Sequence, residues 1–303
     1  MMFPTSPPLQ PVFRSIPRVL LALFLAIAAL QAAPKAAPAD QRPCQPDNPC
    51  TVADGDYLLV FPEHWDGTTP LPSLLFFHGH NSSALTTFRS ATLRREFVDR
   101  GYLVIAPNGA RRAPDRPRGW PSMPLPDFTR DDLAFTDAVM ADVRRRVPLD
   151  GERILVSGFS SGGSMAWYLA CYRGSAYAAF APVAGGLRNP HPPESCPDGP
   201  VRLLHIHGFT DPTVPLEGRG IGRWHQGDVF IALDLLRRTN ACRSQPDRFD
   251  MGTRYRCRIW ESCESGRDIR FCLHDGGHML PPGWATMIRH WFELVPAPGG
   301  DGR

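Results

Sequence analysis

The sequence feature that most limits the fold is a strand that turns directly into a helix at residues 153–172. The mostly apolar run RILVS ends at Ser157, the residues GFSSG follow, and apolar residues three and four apart begin at once. A glycine on each side of Ser160 permits a turn too tight for a Cβ at those two positions. A strand followed so closely by a helix is typical of a parallel sheet that is covered by helices.

The rest of the chain repeats this alternation of strands and helices. Strands are predicted at Tyr57–Phe61, Ser73–Phe77, Tyr102–Ala106, Arg153–Ser157, Ala178–Pro182 and Arg202–His207. Helices are predicted at Phe88–Arg100, Asp132–Arg146, Ser161–Tyr172, Asp228–Thr239 and Ala285–Val295. The pattern predicts an α/β fold with a mostly parallel central sheet and helices on both faces. Two late segments, Arg254–Trp260 and Asp268–His274, are predicted to pair as a hairpin.

The first 33 residues have the order of a secretory signal peptide. Arg14 and Arg18 precede the apolar run Val19–Leu30, and small residues follow at Ala32 and Ala33. The run is shorter than the roughly 20 residues of a membrane span, although an uncleaved anchor is the alternative. We therefore expect a secreted or periplasmic protein that has no membrane association after cleavage. A flexible leader is expected at 34–43, one folded catalytic domain at 44–295 and a disordered tail at 296–303.

The eight cysteines all follow the signal segment, and their number is even. In an oxidising compartment this favours disulfides, and no pair has the C-x-x-C spacing of a zinc or redox site. Cys44 and Cys50 close a short loop. Cys171 ends a predicted helix and Cys196 lies in the next proline-rich loop, while Cys257 and Cys272 lie opposite each other in the hairpin. Cys242 is then left with Cys263.

The charge of the chain argues against a nucleic-acid partner. Its 33 basic residues are almost balanced by 30 acidic ones, which leaves a formal net charge of +3. We expect a monomer that binds no metal.

Ser160 is the predicted nucleophile. In the sequence G-x-S-x-G, a strand–turn–helix context raises the central serine hydroxyl above the edge of the sheet. The same turn directs the amide of Ser161, at the start of the helix, toward an oxygen that becomes negative during acyl transfer. The alternative is a glycine-rich turn that serves packing alone.

A serine nucleophile needs a base, and the base needs an acid that orients it. After Ser160, the run RLLHIHGFTDPTVP places Asp211 just beyond a predicted strand. The other acids considered, Asp228 and Asp234, fall at or within the following helix. The base is predicted to be His278 in DGGHMLPPG, a loop between the last strand and the last helix. His274 is the main alternative to His278, and His225 and His290 are weaker ones.

The second oxyanion donor should follow an early strand, and LLFFHGHNSS fits that position. We predict the amide of His80, with Asn81 as the alternative. The imidazoles of His78 and His80 also suggest a metal site. No third ligand lies nearby in the sequence, so a histidine that braces the loop by hydrogen bonds is the preferred interpretation.

These motifs together resemble secreted esterases of the polyhydroxybutyrate depolymerase type, a group that includes related feruloyl and acetylxylan esterases. HGH, GFSSGG, HGFTDPTVP and GGHMLPPG occur in the order seen in that group. The likeness covers about Cys44 to Val295, which is nearly all of the chain after the signal segment. The resemblance implies an α/β-hydrolase fold, ester hydrolysis and no cofactor. It matches Ser160, Asp211 and His278 to the catalytic triad, and His80 and Ser161 to the oxyanion hole.

The chain departs from this group at one position beside the site. The group commonly has tryptophan two residues after the catalytic histidine, where this chain has Leu280. Trp284 is a nearby candidate for that aromatic wall. Trp120, in the long loop from Asn108 to Phe128, is a second candidate for substrate contact. Four arginines in this loop suggest either anionic substrates or a solvated basic surface, and the latter is preferred: Arg111, Arg112, Arg116 and Arg118.

The predicted activity is hydrolysis of hydroxyalkanoate oligomers or short esters through an acyl-enzyme. The alternatives are a feruloyl or acetylxylan esterase that acts on plant cell walls, a serine peptidase, and an inactive binding protein of the same fold. Soluble esters are expected to react much faster than crystalline polyester film.

Overall fold

A computed structural model describes residues 42–294, apart from residue 53, residues 123–129, and residues 193 and 223; Trp224 is described by its backbone alone. The predicted signal segment, most of the predicted leader and the predicted tail lie outside the described residues, as does part of the loop around Trp120. Within the described chain, no helix has the length and apolar character needed to cross a bilayer.

The described residues alternate between strands and helices. The strands are β1 (Cys50–Val52), β2 (Gly55–Val60), β3 (Leu71–Phe77), β4 (Leu103–Pro107), β5 (Leu149–Phe159), β6 (Ala179–Val183), β7 (Leu203–Gly208), β8 (Arg219–Ile221), β9 (Trp224–Gln226), β10 (Arg248–Met251), β11 (Arg256–Trp260) and β12 (Ile269–His274). The α-helices are α1 (Ala84–Phe88), α2 (Ala91–Glu96), α3 (Asp132–Arg146), α4 (Ser161–Tyr172), α5 (Val229–Thr239) and α6 (Trp284–Glu293), and two 3₁₀ turns lie at Val98–Arg100 and Gly174–Ala176.

Ten strands form one sheet in the order β1-β2-β4-β3-β5-β6-β7-β12-β11-β10. Its centre, from β4 through β12, is parallel, and antiparallel strands flank it on both sides. The predicted hairpin is present as β11 and β12, with Cys257 opposite Cys272. The strands β8 and β9 form a separate small hairpin.

Helices cover both faces of the sheet, so alternate residues of the central strands are buried on opposite sides. In β3, Leu75 and Phe77 pack into a core with residues of α3, α4 and α5. Leu74 and Phe76 point the other way, into a second core with residues of α2 and α6. The prediction of a mostly parallel sheet with helices on both faces is therefore confirmed.

The predicted helix at Phe88–Arg100 is wrong as a single element. It is divided into the end of α1, all of α2 and a 3₁₀ turn. Ser90 caps α2 by accepting a hydrogen bond from the amide of Leu93, and Gly101 takes a left-handed φ of 87° that ends the 3₁₀ turn. Ser90 ends one helix and starts the next, because its side chain accepts a hydrogen bond from a backbone amide that a continuous helix would use. The apolar periodicity of the segment does not reveal this break.

Four disulfides join the eight cysteines in the pairs that the sequence predicts: Cys44–Cys50, Cys171–Cys196, Cys242–Cys263 and Cys257–Cys272. The last pair cross-links adjacent strands at the antiparallel side of the sheet. The others fasten loops to the domain. Each closed loop restricts the unfolded chain, and such a restraint is typically worth about 2–4 kcal/mol.

Candidate active site

The three predicted triad residues and His80 all follow the carboxyl ends of strands in the parallel part of the sheet. The loop with His80 follows β3, Ser160 follows β5, Asp211 follows β7 and His278 follows β12. These strands are parallel members of one sheet, so their carboxyl ends meet at the same edge. Residues separated by more than a hundred positions in sequence are thereby brought together.

Ser160 sits in a strained turn between β5 and α4. Its backbone has φ 57° and ψ −119°, a region that L-residues seldom adopt. The Ser160 amide donates to the carbonyl of Val183 (3.0 Å), and the Ser160 carbonyl accepts from the amide of Ser164 (2.9 Å). These bonds hold the strained backbone, and the turn carries the hydroxyl to the mouth of a cavity.

The glycines around Ser160 are required by close backbone contacts. A Cβ built on Gly162 would lie 2.0 Å from the carbonyl oxygen of Phe77, and one built on Gly158 would lie 2.4 Å from the carbonyl oxygen of Gly162. Both distances are far inside van der Waals contact with main chain that cannot move away. The steric reason given for these glycines from the sequence is therefore found in the structure.

Ser160, His278 and Asp211 form one hydrogen-bonded chain. Nδ1 of His278 lies 2.7 Å from Oδ2 of Asp211, and Nε2 lies 2.8 Å from Oγ of Ser160. A carboxylate accepts only, so Nδ1 carries the proton and Nε2 is the acceptor for the serine hydroxyl. Phe159 packs against the imidazole with ring centroids 5.0 Å apart. The arrangement is that of a nucleophile, a base and an orienting acid.

Asp211 is buried yet kept ionised by its neighbours. Burial acts to raise the pKa of its carboxyl, but the hydrogen bond from His278 and those from the amides of Val214 and Thr213 together hold this pKa below its usual value. Both amides donate to Oδ1 at 2.9 Å, which leaves Oδ2 for His278. The carboxylate is thus fixed in one orientation.

Two buried histidines of β7 support the acid, and the predictions from sequence did not include them. Nε2 of His207 donates to the carbonyl of Val214 (2.7 Å) and lies 3.5 Å from Oδ2 of Asp211. Nδ1 of His207 therefore accepts from Nε2 of His205 (2.9 Å), and Nδ1 of His205 accepts from the indole of Trp167 (3.3 Å). His207 thereby fixes the turn at 211–214. The sequence signal was present, because polar residues recur at alternate positions of the apolar strand LLHIHG.

The alternative acids and bases have other roles in the structure. Asp228 caps α5 by accepting from the amides of Phe230 and Ile231, and Asp234 forms ion pairs with Arg237 and Arg238. Nδ1 of His274 accepts from the amide of Gly276 and so shapes the turn before His278. His225 lies beside Asn189, and His290 is exposed on α6.

The loop after β3 lies against Ser160, as an oxyanion donor requires. A Cβ built on Gly79 would lie 3.7 Å from Cβ of Ser160. The amide of Asn81 donates to the carbonyl of Arg118 (2.8 Å) and is therefore engaged. Among the described residues, no acceptor is hydrogen-bonded to the amide of His80. The amide of Ser161 is at the first position of α4, where helical amides have no intrahelical acceptor.

His78 braces this loop. Its Nε2 accepts from the amide of Gly109 (2.9 Å), so Nδ1 carries the proton and donates to the carbonyl of Gly79 (2.7 Å). Burial lowers the pKa of His78 to about 4. Both ring nitrogens are used within the protein, and the described residues contain no cluster of three or more residues able to bind a metal.

A cavity of about 660 Å³ opens beside the triad. Its described lining residues include His80, Trp120, Ser160 and Ser161, together with four arginines. Trp120 is almost fully buried, and its indole donates to the carbonyl of His78 (2.8 Å). It therefore supports the loop that carries His80 and contributes to the cavity wall. A cavity of similar size at the amino ends of the strands contains none of the predicted site residues.

Trp284 does not line the described part of this cavity, contrary to the interpretation from the sequence. It is buried at the start of α6, where its ring lies 5.7 Å from that of Phe76 on the sheet. Although Trp284 is close to His278 in sequence, the chain turns after His278. The start of α6 therefore packs into the second core and not against the cavity.

We predict that acid destabilises the fold through the buried histidines. Burial lowers the pKa values of His78, His205 and His207. The unfolded chain takes up these protons near pH 6.5 and the folded protein does not, so stability is full above about pH 6.5 and falls between about pH 6.5 and 4. For His78 alone the loss is on the order of 3 kcal/mol.

Urea unfolding followed by tryptophan fluorescence at pH 7.5 and pH 4.5 measures this loss. The exposed His290 provides a control, because His290→Gln should leave the difference between the two pH values unchanged. An equal free energy of unfolding at both pH values would show that the buried histidines are not protonated on unfolding.

The relatives that comparison with known proteins finds are named esterases, although no family model matches the chain. A protein of Aspergillus oryzae named "Probable feruloyl esterase C" is 24% identical over 239 residues, which cover 76% of this chain and 78% of that one. Feruloyl esterase C of Emericella nidulans is 27% identical over 170 residues, covering 54% of this chain and 57% of the relative. Feruloyl esterase B of Piromyces equi is 26% identical over 231 residues, covering 73% of this chain and 42% of the relative.

Solved structures show the same fold at low sequence identity. The acetyl xylan esterase from Aspergillus awamori superposes with a TM-score of 0.62 at 14% identity, over 80% of this chain and 95% of that one. A carboxylesterase from Mesorhizobium loti superposes with a TM-score of 0.53 at 18% identity, over 82% and 98% of the two chains. The fold expected from the motifs is confirmed.

Proposed function

We propose that this chain, a carboxylic ester hydrolase of the α/β-hydrolase superfamily, cleaves aryl-acyl and short-acyl esters through a covalent intermediate on Ser160. The observation that carries the proposal is the hydrogen-bonded chain from Ser160 through His278 to Asp211 at the mouth of the cavity.

In the first half-reaction Ser160 Oγ attacks the ester carbonyl and forms a tetrahedral adduct. The serine proton passes to Nε2 of His278, and Asp211 holds the imidazolium by its bond to Nδ1. The amides of His80 and Ser161 stabilise the negative oxygen. His278 then gives its proton to the departing alcohol oxygen as the bond from the carbonyl carbon to that oxygen breaks.

In the second half-reaction a water molecule attacks the acyl-enzyme. Nε2 of His278 takes a proton from the water, the same two amides stabilise the second tetrahedral adduct, and the proton returns to Ser160 as the acid leaves. No step requires a group beyond the ester, water and these residues.

Feruloyl-type esters are the preferred substrate class. The relatives named feruloyl esterases support this, as does a cavity whose wall includes Trp120, Val214 and Ile221, because an aromatic acyl group needs apolar contacts. Hydroxyalkanoate oligomers, which the motif resemblance favoured, are the second candidate.

We further propose that the protein acts after export, because four disulfides suit an oxidising compartment.

Initial rates on methyl ferulate, 4-nitrophenyl acetate and soluble hydroxybutyrate oligomers, each with the wild-type chain and Ser160→Ala, test the proposal. We expect cleavage of methyl ferulate that depends on Ser160. Cleavage of the oligomers but not of methyl ferulate would favour the second candidate. Failure to cleave any of the three would contradict the proposed function.

Crystalline polyhydroxybutyrate film should release acid much more slowly than soluble oligomers. Ser160 is largely buried at a cavity mouth, so a chain locked in a crystal surface cannot reach it as a flexible oligomer does. Trp120 is buried and cannot adhere to a polymer surface. Titrated acid release per accessible ester measures the difference, and equal release from film and from oligomers would contradict the expectation.

A further inference from the structure

The charge on the described wall of the cavity beside Ser160 is entirely of one sign. Its described lining residues include four arginines and, within that described set, no aspartate or glutamate. The arginines come from three separate segments: Arg112 and Arg116 follow β4, Arg188 follows β6, and Arg219 is in β8. Three segments that converge with the same charge on one cavity concentrate a positive potential where the substrate enters.

Two of these arginines are held by neutral groups. The guanidinium of Arg188 donates to the backbone carbonyls of Pro121 and Trp120. Nε of Arg219 donates to the carbonyl of Thr213 (2.8 Å), next to the turn that carries Asp211. Carbonyl oxygens fix the position of a guanidinium without cancelling its charge, so these bonds orient the cations and leave their field directed at the cavity.

Other buried arginines of this protein are paired with carboxylates. Arg130 lies 2.8 Å from Asp132, and Arg202 lies 2.9 Å from Asp268. Burial lowers the pKa of Arg188, because a cation is poorly solvated in the interior, and the nearby Tyr168 and Asp132 act in the opposite direction. Arg188 and Arg219 differ from these paired arginines, because their hydrogen bonds go to backbone carbonyls, and this contrast indicates that a carboxylate from outside the chain can bind them. Arg116 lies 4.0 Å from Asp115, which is not among the described lining residues of the cavity.

A hydroxyl group in the same cavity can act with the arginines. Oγ of Ser161 is buried and has no hydrogen-bond partner among the described residues, and it stands at the positive amino end of the twelve-residue helix α4. A hydroxyl in that position is able to donate to an anionic oxygen.

We propose that the preferred esters of this site carry a carboxylate, which the arginines of the cavity bind while Ser160 attacks the ester. This inference rests on the proposed ester hydrolysis and adds a charge preference to it: within either candidate class, the ester that carries a carboxylate is the better substrate. The carboxylate can belong to the acyl part, as in a monoester of a dicarboxylic acid, or to the alcohol part, as in a hydroxy-acid oligomer with a free terminus. Both sources offer the same bidentate contact to a guanidinium.

Ester pairs that differ in one terminal group, anionic in one member and neutral in the other, test the proposal. For the acyl part, 4-nitrophenyl hydrogen adipate is compared with 4-nitrophenyl hexanoate. For the alcohol part, the linear dimer of 3-hydroxybutyrate is compared with its methyl ester. We expect kcat/KM to be about tenfold or more higher for the anionic member of at least one pair, as a charge-assisted contact provides. The advantage should shrink as salt is raised from about 0.01 M to about 0.5 M.

The variant Arg116→Gln/Arg219→Gln removes two of the cations from exposed side chains, so the fold should be kept. It should lower the ratio of anionic to neutral kcat/KM by about tenfold. Arg248→Gln is the matched control, because Arg248 lies on β10 at the far edge of the sheet and pairs there with Glu261. That control should leave the ratio unchanged.

Anionic members that react no faster than neutral ones in both pairs would overturn the proposal, as would a preference that the double variant retains in full. The proposed ester hydrolysis is judged separately in the same experiment. If the wild-type chain cleaves the hexanoate ester and Ser160→Ala does not, ester hydrolysis through Ser160 is supported, whatever the charge preference. If the two proteins cleave it equally, ester hydrolysis through Ser160 is contradicted.

Discussion

Replacing Ser160 with alanine should lower kcat on any ester substrate by roughly 10⁴- to 10⁶-fold and leave the fold intact. The change removes one oxygen, which is hydrogen-bonded to His278, and alanine can adopt the same strained backbone that the surrounding hydrogen bonds hold. Without that oxygen no acyl-enzyme forms. Stopped assays with 4-nitrophenyl acetate, together with thermal unfolding, measure the two halves of this prediction.

The three residues should also behave as one unit. His278→Ala and the double variant Ser160→Ala/His278→Ala should have residual rates close to that of Ser160→Ala, because removing any one member already disables the others. Ser244→Ala is a control, since Ser244 is exposed in the loop before β10. A rate within tenfold of wild type for Ser160→Ala would rule out Ser160 as the nucleophile.

Asp211→Asn should lower kcat by about 10⁴-fold, although the side chain keeps its size. Oδ1 of Asp211 accepts from the amides of Thr213 and Val214, so the carbonyl oxygen of asparagine takes that position. Its NH₂ group then faces Nδ1 of His278 and donates to it. The imidazole proton moves to Nε2, where it faces Ser160 and prevents the ring from acting as a base.

Asp234→Asn is the matched control for this prediction. Asp234 was a rival for the role from sequence, and in the structure it forms ion pairs on α5. Measured kcat should fall steeply for Asp211→Asn and stay within about twofold for Asp234→Asn. A fall in kcat for Asp234→Asn without a fall for Asp211→Asn would show that Asp234, and not Asp211, is the orienting acid.

The fold and the arrangement of the candidate site could be predicted because each depends on local signals. The turn around Ser160 needs glycines where main chain approaches within 2.0–2.4 Å of a Cβ position, and such a requirement is visible in the sequence. Asp211 and His278 follow strands, so the rule that carboxyl ends of parallel strands share an edge brings them to Ser160.

Features that depend on three-dimensional packing were missed or misplaced. Nearness to His278 in sequence suggests Trp284 as a cavity residue, whereas in the structure Trp284 packs against Phe76. His205 and His207 were passed over, since a buried histidine pair is explained only by partners such as Trp167 and Val214 that lie on other segments. Arg188 lines the cavity, but it lies in a loop after β6 that contains none of the motifs identified in the sequence.

Covalent labelling of the nucleophile tests the central claim most directly. A fluorophosphonate reacts with a serine that is activated by a base and held beside oxyanion donors. After labelling and digestion, fragmentation of the peptide that follows Arg153 separates Ser160 from Ser157, Ser161 and Ser164. The account predicts one adduct per chain on Ser160, with esterase activity lost in proportion to labelling. An adduct on another residue, or full activity in the labelled protein, would contradict it.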